Sequence, residues 1–258
     1  MILRALIALL REVSPRMAEC ELTYQERLPI DLARARTQHT EYAKCLARLG
    51  CEVRFIAPTP DLPDSVFVED TAVVLDEVAV ITRPGAEPRR AETSTVAVAL
   101  REMRPVHFIE APATLDGGDV LRVGRTLFVG RSNRTNADGT RQLAAAVEPF
   151  GYVIKTVNLT DCLHLKTAVT CVAESVLLLN PRWVDARELG EAEWINVDES
   201  EPNAANALRV GESVIYPAAF PRTRTRLEQR GLDVLAVDLS EFAKAEGGVT
   251  CCSLILHR

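Results

Sequence analysis

Apolar residues along the chain gather into five β-type stretches, and four of them share one internal form. Residues 65–83 (SVFVEDTAVVLDEVAVITR), 118–130 (GDVLRVGRTLFVG), 164–180 (HLKTAVTCVAESVLLLN) and 205–217 (ANALRVGESVIYP) each set two apolar arms around a polar or glycine-containing centre. The centres are Asp76 and Glu77, Gly124 and Arg125, Ala173 and Glu174, and Gly211 and Glu212. Two apolar arms around a short polar turn predict a β-hairpin. The fifth stretch, 248–257 (GVTCCSLILH), has one arm, and the opening residues 1–10 (MILRALIALL) supply one strand. Paired, these two complete a fifth hairpin from the two ends of the chain.

The order between hairpins also repeats. A helix-like segment follows each one, at 91–103, 137–150, around 184–191 and 222–230, and the opening strand is followed by another at 31–49. A short strand then follows, at 52–57, 106–110, 152–157, 195–197 and 233–237. The hairpin centres at 76, 124, 173 and 211 are spaced by 48, 49 and 38 residues. Such periods belong to stacked or circular arrays. The expected fold is α/β, five ββαβ-like units in a closed ring, because the termini share a unit and closure removes exposed edges. An open α/β sandwich is the alternative. Pro and Gly mark turns, as at 58–63, 83–85 and 217–221, rather than a linker, so residues 1–258 read as one domain.

Composition narrows the function. Hydrophobic residues make up 47% and charged residues 26%, which excludes a disordered chain. The net charge of −6 disfavours a general nucleic-acid binder, which needs a basic face. No apolar run reaches the roughly 18 residues of a membrane helix. Residues 1–10 are short for a signal peptide and lack a small-residue cleavage site before Arg11, so a buried strand is the expectation. Seven scattered cysteines, an odd number, point to reduced thiols and a cytoplasmic protein. No CxxC pair suggests a zinc ribbon.

In a ring, the starts of equivalent strands converge near the axis, and the polar residues there share a pocket. They are Glu69 and Asp70, Asp116 to Asp119, His164 to Lys166, Asn203 to Asn206, and Cys251 and Cys252. Cys251 follows two glycines that let backbone approach a ligand closely, and its thiolate would be a strong nucleophile. The alternative is that both cysteines are core residues. His164 opens a hairpin and is suited to protonate a leaving amine; a structural histidine is the alternative. Carboxylates inside an apolar run such as VFVEDTAVV need a partner, because an unpaired buried charge costs several kcal/mol. A planar guanidinium suits them better than a metal, since Cys and His lack ligand spacing; strand-end caps are the bland reading. Arg89, Arg90 and Arg134 have the fork that grips a carboxylate, although a single arginine in an Arg-rich chain is usually solvated.

The segments PDSVFVED (63–70), ITRPGAEPRR (81–90), TLDGGDV (114–120), RTNADG (134–139), LHLKT (163–167), AAN (204–206), AFPRTR (219–224) and GGVTCCS (247–253) closely resemble the dimethylarginine dimethylaminohydrolase family of the guanidino-group-modifying (pentein) superfamily. The resemblance spans essentially the whole chain and implies the five-bladed propeller. It also implies that Cys251 is the nucleophile, His164 the general acid and base, and Asp116 an active-site carboxylate. Asp64, Glu69, Asp70, Arg89 and Arg134 match substrate-contacting positions, as does the main chain at Ala245, where a larger aliphatic residue is expected. Leu22 falls in the segment that forms a lid loop in the family.

The activity implied is hydrolysis of Nω-methylated arginine to citrulline and methylamine or dimethylamine through a thiouronium on Cys251, with neither cofactor nor metal. A homodimer is compatible with the resemblance, and no nucleic-acid or membrane partner is expected. The nearest alternatives are an arginine deiminase-type or other guanidine hydrolase of the superfamily, and a non-catalytic pentein binding protein.

Overall fold

The computed structural model describes residues 6–258; residues 1–5 of the expected opening strand lie outside the described residues. In chain order the elements are β1 (Leu6–Leu10), α1 (Leu32–Arg48), β2 (Cys51–Phe55), β3 (Ala72–Val74), β4 (Ala79–Ile81), α2 (Thr93–Arg101) and β5 (Val106–Phe108). There follow β6 (Val120–Val123), β7 (Thr126–Arg131), α3 (Ala137–Val147), β8 (Val153–Asn158), α4 (Leu165–Ala168), β9 (Val169–Ala173), β10 (Val176–Leu179) and β11 (Glu193–Asn196). The chain ends with β12 (Leu208–Val210), β13 (Ser213–Pro217), α5 (Pro221–Gln229), β14 (Asp233–Val237), α6 (Ser240–Ala243) and β15 (Leu254–His257).

These strands form five separate three-stranded sheets of one plan. In each, an antiparallel pair is joined by a parallel third strand: β3-β4-β5, β6-β7-β8, β9-β10-β11, β12-β13-β14 and, from the two chain ends, β15-β1-β2. The middle strands are almost wholly buried, which is why LIALL, AVI and VLLL read as continuous apolar runs. The third strands lie outermost and carry charges such as Glu52, Arg54 and Lys155 that discourage edge pairing.

Helices fill the crossovers to the parallel strands. In α1, the side chain of Asp31 accepts from the amides of Ala33 and Arg34, capping the helix. Its buried positions Ala35, Gln38, His39, Tyr42, Cys45 and Leu46 follow the helical three-four spacing. One expected helix is reduced: between β10 and β11 only a 3-10 turn, Ala186–Leu189, forms. Gly190, at φ +81°, ends it after one turn.

Five apolar clusters lie one at each junction between consecutive sheets. Leu10, Tyr42, Ile215 and Val237 join the terminal sheet to β12-β13-β14; Leu9, Ile81, Leu100 and Leu254 join it to β3-β4-β5. Val80, Val129 and Leu143 seal the next junction, Phe128 and Leu177 the one after, and Leu178, Tyr216 and Leu227 the last. Side-chain packing therefore seals each junction around the ring, while the ladders of strand-to-strand hydrogen bonds stay within each sheet.

His39 of α1 is 4% exposed, its ring lies beside Tyr42, Phe55 and Phe242, and its Nε2 has no hydrogen-bond partner. Burial pushes its pKa down from 6.5 to about 4. The unfolded chain therefore binds the proton first, and stability drains as pH falls through 6.5 towards 4. Urea titrations should show His39→Phe losing less stability than the parent over that window, by about 3 kcal/mol at its acid end. Parallel curves for the two proteins would contradict this.

Candidate active site

Each hairpin is entered through a tight turn, and the five turns meet. A 3-10 turn, Val68–Thr71, precedes β3; another, Gly117–Asp119, precedes β6; α4 precedes β9; residues 203–206 precede β12; residues 248–253 precede β15. Hydrogen bonds run from turn to turn. The Gly118 amide donates to Asp70 Oδ1 (3.0 Å), and the Leu165 amide donates to Asp119 Oδ1 (3.0 Å). Asn206 Nδ2 donates to the Lys166 carbonyl (3.0 Å), and the Thr250 amide donates to Asn206 Oδ1 (3.1 Å). The Glu69 amide donates to the Cys251 carbonyl (3.1 Å) and completes the circle.

One cavity lies against this circle. Asp64, Asp70, Arg89, Arg134, His164, Ala245 and Cys251 all line it, with Glu21, Phe67 and Glu246 among the other walls. Asp116 stands behind His164: its Oδ2 is 3.0 Å from His164 Nε2, while its Oδ1 accepts from the Gly85 amide at 2.8 Å. His164 Nδ1 faces Asp70 Oδ1 at 3.9 Å. Asp70 Oδ2 accepts from Arg89 Nη1 at 2.7 Å, and Glu92 grips the rest of the guanidinium, so Arg89 is fixed inside the fold. Besides Asp116, two sequence candidates stand apart from the cavity wall. Glu69 points away, accepting from Lys166 Nζ (2.7 Å) and Thr250 Oγ1 (2.6 Å). Leu22 packs against the core beside β1 rather than into the cavity.

Glycines make this crowding feasible. A Cβ on Gly118 would lie 2.7 Å from Asp70 Oδ1 and 2.8 Å from His164 Nδ1. On Gly247 it would lie 2.2 Å from the Phe67 ring, and on Gly248 2.3 Å from Asn206 Oδ1. Beside Cys251, the Gly248 amide points at Sγ from 3.3 Å.

The charges decide the protonation states. Burial disfavours the imidazolium of His164, but Asp70, the hydrogen bond to Asp116 and the nearby Asp119 outweigh it and raise the pKa to about 9. Burial likewise opposes ionisation of Asp70, yet His164 and Arg89 hold it down at about 2. Burial, with the charges of Glu69 and Asp70 behind it, pushes the Cys251 thiol up to about 12 against the opposing pull of the Gly248 amide and Thr250. At neutral pH the site therefore holds an imidazolium beside a thiol. Ligand atoms of Asp70, Asp116 and His164 also lie within 4.8 Å of one another, as a metal site would require. All but His164 Nδ1 are already engaged, so a metal ion would compete with the His164 proton and the Arg89 guanidinium.

Sequence reasoning passed over Glu246, Glu21 and Phe67 as cavity walls. Only the wide, bulky ring of Phe67 had a local signal, its place in VFVED; the other two reach the cavity through loop geometry.

A five-sheet ring with a cysteine, a histidine and buried carboxylates at its hub defines the class of guanidine-modifying propellers. Comparison with known proteins narrows this further. A family model described as N,N dimethylarginine dimethylhydrolase, eukaryotic, matches residues 20–258. A Streptomyces coelicolor N(G),N(G)-dimethylarginine dimethylaminohydrolase is 42% identical over 251 residues, which is 97% of this chain and 96% of that protein. The dimethylarginine dimethylaminohydrolase of Pseudomonas aeruginosa, solved as a cysteine-to-serine variant with citrulline, superposes with a TM-score of 0.91 at 36% identity, covering 96% of this chain and 98% of that one. A histidine-to-glycine variant of a dimethylarginine dimethylaminohydrolase, solved as an adduct with S-methyl-L-thiocitrulline, gives 0.92 at 37% identity, with the same coverage. The chain belongs to the dimethylarginine dimethylaminohydrolase family.

The Gly118 contact tests the electrostatics without reference to any substrate. In Gly118→Ala the new methyl group must part Asp70 from His164, so the pKa of His164, followed by NMR, should fall from about 9 by about one pH unit or more. A value unchanged near 9 would show that Asp70 is not what holds the proton.

Proposed function

We propose that the chain hydrolyses Nω-methylated arginines, asymmetric dimethylarginine and monomethylarginine, to citrulline and dimethylamine or methylamine, through a covalent intermediate on Cys251. The observation that carries this reading is the convergence of Cys251, His164, Asp70, Asp64 and Arg134 on one cavity. The family relationship supports it independently.

The chemistry follows from the charges. Asp70 is anionic and stands beside the thiol, so a guanidinium placed between them is held by the carboxylate and stabilises the thiolate. Arg134 and Asp64 face the same cavity with charges suited to an α-carboxylate and an α-ammonium group. As the guanidinium binds, the thiol proton of Cys251 is lost to solvent, and the thiolate Sγ attacks the guanidinium carbon. His164, already an imidazolium and held at Nε2 by Asp116, gives a proton through Nδ1 to the departing methylated nitrogen. The C–N bond breaks and a thiouronium remains. Neutral His164 then takes a proton from water, whose oxygen adds to the same carbon. Collapse expels the thiolate and leaves citrulline. The nucleophile, acid and base need neither a cofactor nor a metal. Glu69 serves this scheme through the structure that presents Cys251 rather than through contact with substrate.

We further place the chain in the cytoplasm, working as one catalytic unit; its seven cysteines are all free thiols, as a reducing compartment favours. No helix among the described residues is long and apolar enough to cross a membrane. We propose a homodimer as the chain's oligomeric state, which sedimentation would test.

The decisive assay follows citrulline and dimethylamine from asymmetric dimethylarginine, with monomethylarginine and arginine in parallel. Equimolar products are expected, with a loss of more than about a thousandfold in Cys251→Ser and accumulation of the adduct in His164→Gly. Turnover of arginine alone would move the activity to a deiminase; turnover surviving in Cys251→Ser would refute the nucleophile. The pH profile of amine release should carry two limbs, a rise as Cys251 loses its proton and a fall as His164 loses its own. A single-turnover rate unaffected by that deprotonation would remove His164 as the acid.

A further inference from the structure

A second cavity, of about 480 Å3, opens beside the reaction cavity, a space far larger than the methyl groups of a methylarginine occupy. The two cavities meet at Leu163, Gly247 and Cys251, each of which lines both. Asp64 and Arg134, whose charges suit an amino-acid head, line the reaction cavity alone. Cys251 therefore stands at a junction, with the place for the head on one side and an unclaimed space on the other.

The walls of that space are largely apolar. Trp183 and Phe220 supply rings, Leu163, Leu239 and Val249 supply aliphatic surface, and the small exposed residues Ala219 and Ala243 stand at its edge. Asp161, Asp238 and Glu246 also line it, and no Lys, Arg or His does among the described residues. Glu246 already accepts from the amides of Thr23, Tyr24 and Gln25, and Asp238 from Arg34 and the Ser240 amide. The interior thus suits a neutral or cationic group and repels an anion. Its size falls within the range of small-molecule sites, roughly 300–1,000 Å3.

The direction of the chemistry decides what enters. The guanidinium carbon must come within bonding reach of Cys251 Sγ, and the departing nitrogen must face His164, whose chain neighbour Leu163 lines both cavities. With the side chain of the arginine filling the reaction cavity, a substituent on the departing nitrogen has the second cavity ahead of it. We infer that the chain also hydrolyses arginines whose Nω substituent is much larger than methyl, a neutral or cationic alkyl or arylalkyl group lodged in this second cavity. This wider substrate class rests on the proposed activity and keeps its balance. The S–C bond forms at Cys251, the C–N bond to the substituted nitrogen breaks, and His164 supplies the proton. Water then completes citrulline, and the substituent departs as a primary amine.

Nω-(2-phenylethyl)arginine is the probe, assayed beside asymmetric dimethylarginine and Nω-(2-carboxyethyl)arginine. It should give equimolar citrulline and 2-phenylethylamine, with kcat/KM within about tenfold of asymmetric dimethylarginine and the carboxyethyl compound about a hundredfold or more below. Filling the cavity from its edge with Ala219→Trp should lower kcat/KM for the phenylethyl compound by about tenfold or more and leave asymmetric dimethylarginine within about twofold. Ala243→Trp is read in the same way if the first variant melts far below the parent. Turnover of asymmetric dimethylarginine with none of the phenylethyl compound, or equal losses on both substrates in the filled variants, would overturn the inference. Binding is read without turnover: Trp183 is one of two tryptophans, so in Cys251→Ser carrying Trp194→Phe its fluorescence reports on the cavity alone. The phenylethyl compound should shift that fluorescence, and no shift would overturn its lodging there. A shift in a protein whose parent turns over no methylarginine would uphold the cavity as the site of the substituent and refute the proposed activity.

Discussion

The circle of hydrogen bonds at the hub is what the remaining structure depends on. Each of the five entry turns bonds to the next, from Asp70 and Gly118 through Asp119 and Leu165, Lys166 and Asn206, and Thr250, back to Glu69 and the Cys251 carbonyl. The sheets share no strands, so these bonds join the packing between blades in holding the ring closed. The bonds come from side chains and amides far apart in sequence, Glu69 and Thr250 being 181 residues apart, and no single blade could assemble the site alone.

The same circle sets the chemistry. Two of its acceptors, Asp70 and Asp119, are carboxylates, and burying them leaves negative potential where Cys251 and His164 sit. That field keeps the proton on the imidazolium to about 9, and burial together with the field keeps it on the thiol to about 12. A resting site of this kind is unreactive as a nucleophile until a cation arrives to offset Asp70 and Glu69. Reactivity is thereby tied to the charge of the ligand, which protects the thiol from adventitious electrophiles. Arg89, although a guanidinium, does not discharge the field at the sulfur, because Asp70 and Glu92 already claim it.

Much of this was legible in the sequence, for definable reasons. Hairpins such as 118–130 and 205–217 announce themselves because their middle strands are buried on both faces and their two-residue turns contain Gly124 and Gly211, at φ +59° and +61°. The helix expected around 184–191 was not, because a short amphipathic run gives no measure of where Gly190 stops it. At the hub, residue types marked Cys251, His164 and Asp70, yet direction did not follow from type. Glu69 and Asp70 are neighbours in one 3-10 turn and point to different partners, one to Lys166 and Thr250, the other to Arg89 and the cavity. Glu246 carried no signal at all, since its partners Thr23 to Gln25 lie more than two hundred residues away.

The measurement closest to the central claim is the ionisation of Cys251 itself. Thiolate absorbance would be followed against pH, taking Cys251→Ser as the blank, with and without a saturating guanidinium ligand that lacks a leaving amine. The account predicts a free site that stays a thiol well into the alkaline range and a ligand that lowers the transition by about two pH units or more. A thiolate already formed near neutrality in the free protein, or a transition indifferent to the bound cation, would contradict it.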